Sequence, residues 1–228
     1  MFADALLIAA KDLRIEARSR VAVNQVLPFA LLVLVLFAFA LDPDRGLLER
    51  ATAGLFWVAV LFCSLLAIGR AFAIETSDGN RDALRLSGLD PAGIFLGKVG
   101  AIAVQLLALE LLLGIGVAIL YGTELAEGVG ASGVALLTLS AIAATVGIAS
   151  AGTLYGVLAA GLRVRETLLP LLLLPVLAPV LIGSTRAFEG ALLGGVDDGW
   201  PWVGLLAVFA LIYLVAGVVG FGPLLEES

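Results

Sequence analysis

Long runs of apolar residues, separated by short groups of charged residues, dominate the hydropathy pattern of the chain. An α-helix needs roughly 20 apolar residues to cross the hydrocarbon core of a bilayer, and the runs are about that long or longer. A helix satisfies its own backbone hydrogen bonds in lipid, and the runs lack the alternation of barrel strands. The sequence therefore predicts an all-α integral membrane protein with about six transmembrane helices, at residues 21–41, 51–69, 99–121, 130–160, 167–185 and 200–222.

The overall composition agrees with this class. Hydrophobic residues make up 61% of the 228 residues and charged residues 14%, whereas a soluble domain has about 45–50% and about 25%. No polar stretch is long enough to form a second domain. We therefore predict one transmembrane permease domain over residues 21–228, preceded by a separate N-terminal segment.

The N-terminal segment, residues 1–20, has the spacing of an amphipathic helix. Its apolar face carries Phe2, Leu6, Ala9, Leu13 and Ala17, and the opposite face carries Asp4, Lys11, Arg14 and Arg18. Such a helix lies in the membrane interface, with its apolar stripe in the acyl region and its basic stripe at the headgroups. Two roles remain open, a plain surface anchor and a surface that docks a partner.

The positions of Lys and Arg predict the orientation of the chain in the membrane. Ten of the 13 Lys and Arg residues lie in the N-terminal segment, between the second and third spans, and between the fourth and fifth. Cytoplasmic loops carry the excess of these residues. We therefore expect both termini in the cytoplasm and only short loops on the other side.

The one sizeable cytoplasmic segment, residues 70–98, predicts a short helix at 81–87 between two long helices. Gly88 suits the left-handed position after that helix, and Asp90 and Pro91 suit the start of the next one. A short helix held away from the membrane would let a cytosolic motor push on it, although an ordinary polar connector explains the same pattern. The candidate ATPase-coupling residues are Glu75, Asp78, Gly79, Arg81, Leu84, Arg85, Leu86, Gly88 and Pro91.

Residues 93–99 resemble a phosphate-binding loop, but the resemblance does not hold. A P-loop has four residues between its glycines and a Ser or Thr after the lysine, whereas this stretch has three residues and then Val99. The chain also contains no histidine, and its one methionine is Met1. We therefore expect no ATP site, no metal site, no cofactor and no enzymatic activity in this chain.

Two polar residues lie inside the third predicted span, Glu110 near its middle and Gln105 one to two turns earlier. A charge at the bilayer centre costs at least about 2.5–3.5 kcal/mol, so such residues are candidate functional residues. One interpretation is a polar or proton-linked pathway. The other is a hydrogen-bonded helix contact, which is favoured because no other span offers an opposite charge.

Small residues and prolines mark the fourth and fifth spans. Gly152, Gly156 and Ala160 follow each other at four-residue spacing and predict a smooth face for close helix packing within this chain, with a subunit seam as the alternative. The fifth span contains Pro170, Pro175 and Pro179. Each proline removes a backbone donor, so we expect kinks in this helix.

Taken together, the residues resemble the heme exporter protein B family, the membrane subunit of the cytochrome c maturation ABC transporter. Three stretches carry the resemblance. The first is residues 11–20, which run into a span that ends at 40–44. The second is residues 75–98, and the third comprises residues 169–175 and 178–183.

In the second stretch, Asp78 and Gly79 form an acidic turn that is followed by a Leu-rich short helix at 83–87 and then by Pro91 and Lys98. These features are similar to the family's loop. Residues 88–90 depart from the family's pattern, since a second proline is expected there.

The resemblance implies an ABC-2 type permease in the bacterial cytoplasmic (inner) membrane. It implies a separate cytosolic ATPase that binds ATP, heme-handling membrane subunits, a periplasmic heme chaperone and a second six-helix unit, identical or related. Heme would be handled by the complex, and no nucleic-acid partner is expected. The alternatives are a permease of another ABC-2 exporter, for a lipid, drug or polysaccharide, and an assembly protein without transport.

Overall fold

A computed structural model describes residues 1–19, 22–41, 45–75, 87–121, 129–160 and 165–227. Within these ranges the regular elements are helices: α1 (Phe2–Ser19), a short π-helical turn (Ala22–Val26), α2 (Leu27–Leu41), α3 (Arg45–Glu75), α4 (Pro91–Tyr121), α5 (Ala131–Ala160), α6 (Arg165–Leu192) and α7 (Val196–Glu227). Among the described residues, 6 helices are long and apolar enough to cross a membrane. The predicted class, an all-α integral membrane protein, is confirmed.

Contacts at the helix ends establish how the helices run. Gly69, near the end of α3, faces Leu169 at the start of α6, and Gly54, near the start of α3, faces Thr185 near the end of α6. These two helices are therefore antiparallel. Gly222, near the end of α7, lies close to Pro91 at the start of α4, where α1 also packs. The first turn of α1 and the end of α7 thus lie at the same end of the bundle, beside the start of α4.

Several helices extend past the charged residues that mark the limits of the predicted spans. Arg50 and Arg70 lie within α3, and Lys98 lies within α4, which begins at Pro91 rather than at residue 99. Arg186 lies within α6, where its Nη1 is 2.8 Å from Oε2 of Glu189. Charge alone did not end these helices, because the described charges have partners of opposite sign or sit at exposed helix ends.

The small residues of α5 pack within the chain. A side chain at Gly152 would collide with Ile68 of α3, and one at Gly156 would collide with the ring of Phe72. The glycines therefore let α5 approach α3 closely, which confirms the predicted use of this face. In α6 the helix continues through Pro170, Pro175 and Pro179, and the kinks stay a prediction.

The N-terminal segment is a helix, as predicted, and it has two apolar sides. Phe2 and Leu6 of the predicted stripe are among the most exposed large apolar side chains of the described chain. On another side, Ile8 is fully buried and belongs to the main hydrophobic core. Helix α1 therefore packs onto the bundle with the side that carries Ile8. The predicted insertion in the membrane interface applies to the side that carries Phe2 and Leu6.

Candidate functional site

The start of α4 has the capping geometry that the sequence predicts. The amide of Ala92 donates to Oδ1 of Asp90 over 3.0 Å, and Pro91 is the first helical residue. Gly88 has a φ of +70°, the left-handed conformation that favours glycine. Leu89 packs against the core. The candidate coupling segment therefore ends in a defined turn that fixes where α4 begins.

Most of the candidate coupling residues lie outside the described residues. Glu75 is the last residue of α3 and Gly88 and Pro91 lie beside the start of α4. The remaining six are Asp78, Gly79, Arg81, Leu84, Arg85 and Leu86. The structure thus defines the two helix ends between which the segment runs.

Two glycines bring α1 into close contact with α4 at this end of the bundle. A Cβ atom at Gly97 would lie 2.6 Å from the carbonyl oxygen of Ala5 and 2.7 Å from Cβ of Ile8. A Cβ atom at Gly93 would lie 2.8 Å from the carbonyl oxygen of Met1. These glycines belong to the stretch that resembles a phosphate loop, and the structure places them in a helix where they serve packing.

Two ion pairs then join α1 to the helices on either side of the coupling segment. Lys98 Nζ of α4 lies 3.5 Å from Oδ2 of Asp12, and Arg70 Nε of α3 lies 3.2 Å from Oε2 of Glu16. Lys98 is only 2% exposed, and its ammonium lies 5.2 Å from the ring centre of Phe72. We call Asp12, Glu16, Arg70 and Lys98 the α1 ion-pair cluster.

Sequence reasoning missed the two acidic members of this cluster. Asp12 and Glu16 are four residues apart, so they lie on the same side of a helix. This spacing is the signal that the sequence offers, but the basic residues of α1 dominate the polar face that the pattern predicts. The cations opposite them lie 86 and 54 residues away in sequence.

A further charged contact lies at the first turn of α1. The amine of Met1 is 3.0 Å from Oδ2 of Asp4 and 3.6 Å from Oδ2 of Asp90. The hydrogen bond with Asp4 raises the pKa of the amine, and the same bond lowers the pKa of Asp4. These groups are exposed, so they orient the helix end more than they stabilise it.

Glu110 lies in a separate part of the bundle and has a partner on α5. Its side chain is 6% exposed, and the hydroxyl of Thr145 donates to its Oε1 over 2.5 Å. This is the hydrogen-bonded helix contact that the sequence favoured. Nε2 of Gln105 is also buried and has no hydrogen-bond partner among the described residues. Gln105 does not line the apolar cavity that Glu110 lines.

Sequence similarity to known proteins extends over nearly the whole chain. The family model described as CcmB protein matches residues 3–223. Heme exporter protein B of Haemophilus influenzae is 31% identical over an alignment of 232 residues, gaps included, and the alignment covers 95% of this chain and 92% of that protein. The proteins of that name from Paracoccus denitrificans and Pseudomonas aeruginosa are 32% and 30% identical; the first match covers 90% of this chain and 89% of the relative, and the second covers 90% of each.

Proposed function

Since this chain belongs to the CcmB protein family, we propose that it is the permease subunit of an ABC transporter that exports or delivers heme for cytochrome c assembly. The relatives of similar length carry the name heme exporter protein B. The chain would work in the bacterial inner membrane, beside a separate ATPase, heme-handling subunits, a periplasmic heme chaperone and a second six-helix unit. Heme is the substrate of this complex, and ATP is bound by the ATPase.

The observation that carries the mechanism is the α1 ion-pair cluster. One helix holds both helix ends that flank residues 76–86, through Glu16 to Arg70 of α3 and through Asp12 to Lys98 of α4. A force applied to the segment would therefore reach α1, α3 and α4 together. This arrangement suits a subunit that receives work from an ATPase through residues 81–89.

Partner subunits are the proposed site of heme iron ligation. Histidine, methionine, cysteine and tyrosine side chains are the usual axial ligands, and this chain offers no histidine, one methionine (Met1), one cysteine and three tyrosines. That cysteine, Cys63, is buried in the core. A force-transmitting role suits this composition better than heme ligation.

The first test measures ATP turnover by the reconstituted complex with and without the variant Leu84→Asp. A charge in the proposed coupling helix is expected to lower turnover at least several-fold. Leu193→Asp is the matched control, because Leu193 is an exposed leucine in the turn between α6 and α7 at the other end of the bundle. Unchanged turnover in Leu84→Asp would reject the coupling role.

A complementation assay separates heme export from other ABC-2 exports. Cells that lack this gene are expected to lose holo-cytochromes c and to regain them with the wild-type chain but not with Leu84→Asp. Normal cytochrome c assembly in the deletion strain would instead favour the alternative, export of a lipid, drug or polysaccharide.

The proposed orientation, with both termini in the cytoplasm, is supported by the bias of Lys and Arg. A membrane-impermeant thiol reagent tests it in a Cys63→Ser background. In intact spheroplasts, Leu193→Cys is expected to react and Ser87→Cys to react only after permeabilisation. The reverse pattern would place the coupling segment on the outer face.

A further inference from the structure

A crevice of about 480 Å³ opens between α3, α4, α5 and α6, in the half of the bundle away from α1. This is within the size range of small-molecule sites, which are about 300–1,000 Å³. Its walls are almost entirely apolar, and the rings of Phe56 and Phe188 are stacked 5.2 Å apart on one side. The crevice would therefore accept a hydrophobic molecule.

Glu110 supplies an acceptor that the described part of the chain leaves unused. Its Oε1 accepts a hydrogen bond from Thr145, but its buried Oε2 has no hydrogen-bond partner among the described residues. The other polar side chains in the lining, Thr52 and Thr138, donate to carbonyl oxygens of their own helices, Leu48 and Val134. A polar group buried without a partner is costly, so an acceptor in this position favours a ligand that donates.

The crevice opens on the outer surface of the helix bundle, beside α4. Leu111, Ile115 and Ile119 of α4 line the crevice and are also exposed. They belong to a helix that is long and apolar enough to cross a membrane, so their exposed side chains suit contact with the hydrocarbon of the bilayer. A ligand that enters here comes from the bilayer, and it must be apolar over most of its surface.

We propose that the crevice binds a membrane-soluble amphiphile whose hydrogen-bond-donating head contacts Glu110 and whose apolar chain lies between α4 and α5. A hydroxyl head donates a hydrogen bond to Oε2 when this oxygen carries no proton. An amine head suits the ionised carboxylate. This site is separate from the α1 ion-pair cluster, and it stands whether or not the coupling role is correct.

Photoaffinity labelling of the full-length chain in membrane vesicles tests the site. The probes are a long-chain alcohol, a long-chain amine and the matching hydrocarbon, each with a diazirine at the same carbon near the head. The alcohol or the amine is expected to label residues of the crevice, such as Leu107 and Phe56, and the hydrocarbon to label them much less. Equal labelling by the hydrocarbon would mean ordinary lipid contact and would overturn the proposal.

Two variants locate the binding determinants. Glu110→Gln keeps an oxygen for Thr145 but turns an amide donor toward the crevice, so the half-saturating concentration of the donor-headed probe is expected to rise about tenfold. Gly114→Leu fills the crevice and should abolish its labelling. A Cβ atom at Gly114 meets nothing within 4 Å, so the backbone need not move.

Gly100→Leu is the matched control, because Gly100 lies on the same helix, also has open space at its Cβ position and does not line the crevice. It should label like the wild type. Thermal unfolding of all three variants shows that they are folded. Undiminished crevice labelling in folded Gly114→Leu, or an unchanged half-saturating concentration in Glu110→Gln, would overturn the proposal.

Discussion

The ammonium group of Lys98 lies 3.5 Å from the carboxylate of Asp12, although the two residues are 86 positions apart. Lys98 is 2% exposed and Asp12 21%, so the pair sits at the edge of the protein interior. Its formation ties the N-terminal helix to the first turns of α4. Helix α4 begins directly after the proposed coupling segment, so the pair would link α1 to any movement of that segment.

Removal of the Asp12 charge is expected to destabilise the protein more than removal of the Lys98 charge. Asp12→Asn takes the carboxylate away from a buried ammonium and should lower the free energy of unfolding by about 3 kcal/mol, the low end for a buried pair because Asp12 is partly exposed. Lys98→Met keeps an apolar side chain, and Asp12 keeps Lys11, whose Nζ is 2.9 Å away, so this change should cost about 1 kcal/mol. Unfolding in mixed micelles measures both values.

Lys11→Met is the control for this comparison, because Lys11 is exposed and should contribute little. A loss of stability in Asp12→Asn that is no larger than the loss in Lys11→Met would show that the pair of Asp12 with Lys98 is not what holds α1.

Close packing between α1 and α4 requires glycine at position 97. In Gly97→Ala the new Cβ would lie 2.6 Å from the carbonyl oxygen of Ala5, so α1 must move, at a cost of about 1–3 kcal/mol. Gly100→Ala meets no atom within 4 Å and should stabilise the helix by up to about 1 kcal/mol. Limited proteolysis of α1 and thermal unfolding measure the difference. Equal behaviour of the two variants would contradict the packing of α1 on α4.

Thr145 is expected to stabilise the bundle through its hydrogen bond to Glu110. Thr145→Val keeps the shape but removes the donor, which should cost about 1 kcal/mol in the membrane, whereas Thr145→Ser should recover most of that loss. Thr153→Val on the same helix is the control, because Thr153 donates to Ala149 of its own helix. Unfolding in mixed micelles distinguishes the variants, and a neutral Thr145→Val would exclude this contribution.

The class of fold and the number of spans could be predicted because apolar runs and charged residues separate cleanly in this chain. The positions of helix ends could not be predicted in the same way. Arg70 and Lys98 look like boundaries in sequence, yet each lies inside a helix because α1 supplies a carboxylate to it. The hydropathy pattern does not show which distant residue will become the ion-pair partner of a charged residue after folding.

Local motifs could be predicted from the sequence, whereas long-range contacts could not. The left-handed Gly88 and the cap by Asp90 follow from neighbouring residues alone, and the structure confirms them. The hydrogen bond between Thr145 and Glu110 depends on which side of α5 faces α4, and helical spacing in the sequence does not give that orientation. The packing role of Gly93 and Gly97 cannot be predicted from the sequence, since it depends on the approach of α1.

The proposed mechanism requires that the segment after α3 touches an ATPase. Glu75 ends α3 and Pro91 begins α4, and the α1 ion-pair cluster holds both helices. An ATPase that contacts the segment between these two residues would therefore move this end of the bundle. The most direct measurement is thiol-specific crosslinking in membranes that contain the ATPase, with Arg85→Cys and the control Leu193→Cys, both in a Cys63→Ser background. Capture of the ATPase by Arg85→Cys alone is expected, whereas capture by Leu193→Cys, or no capture by Arg85→Cys, would contradict the coupling role.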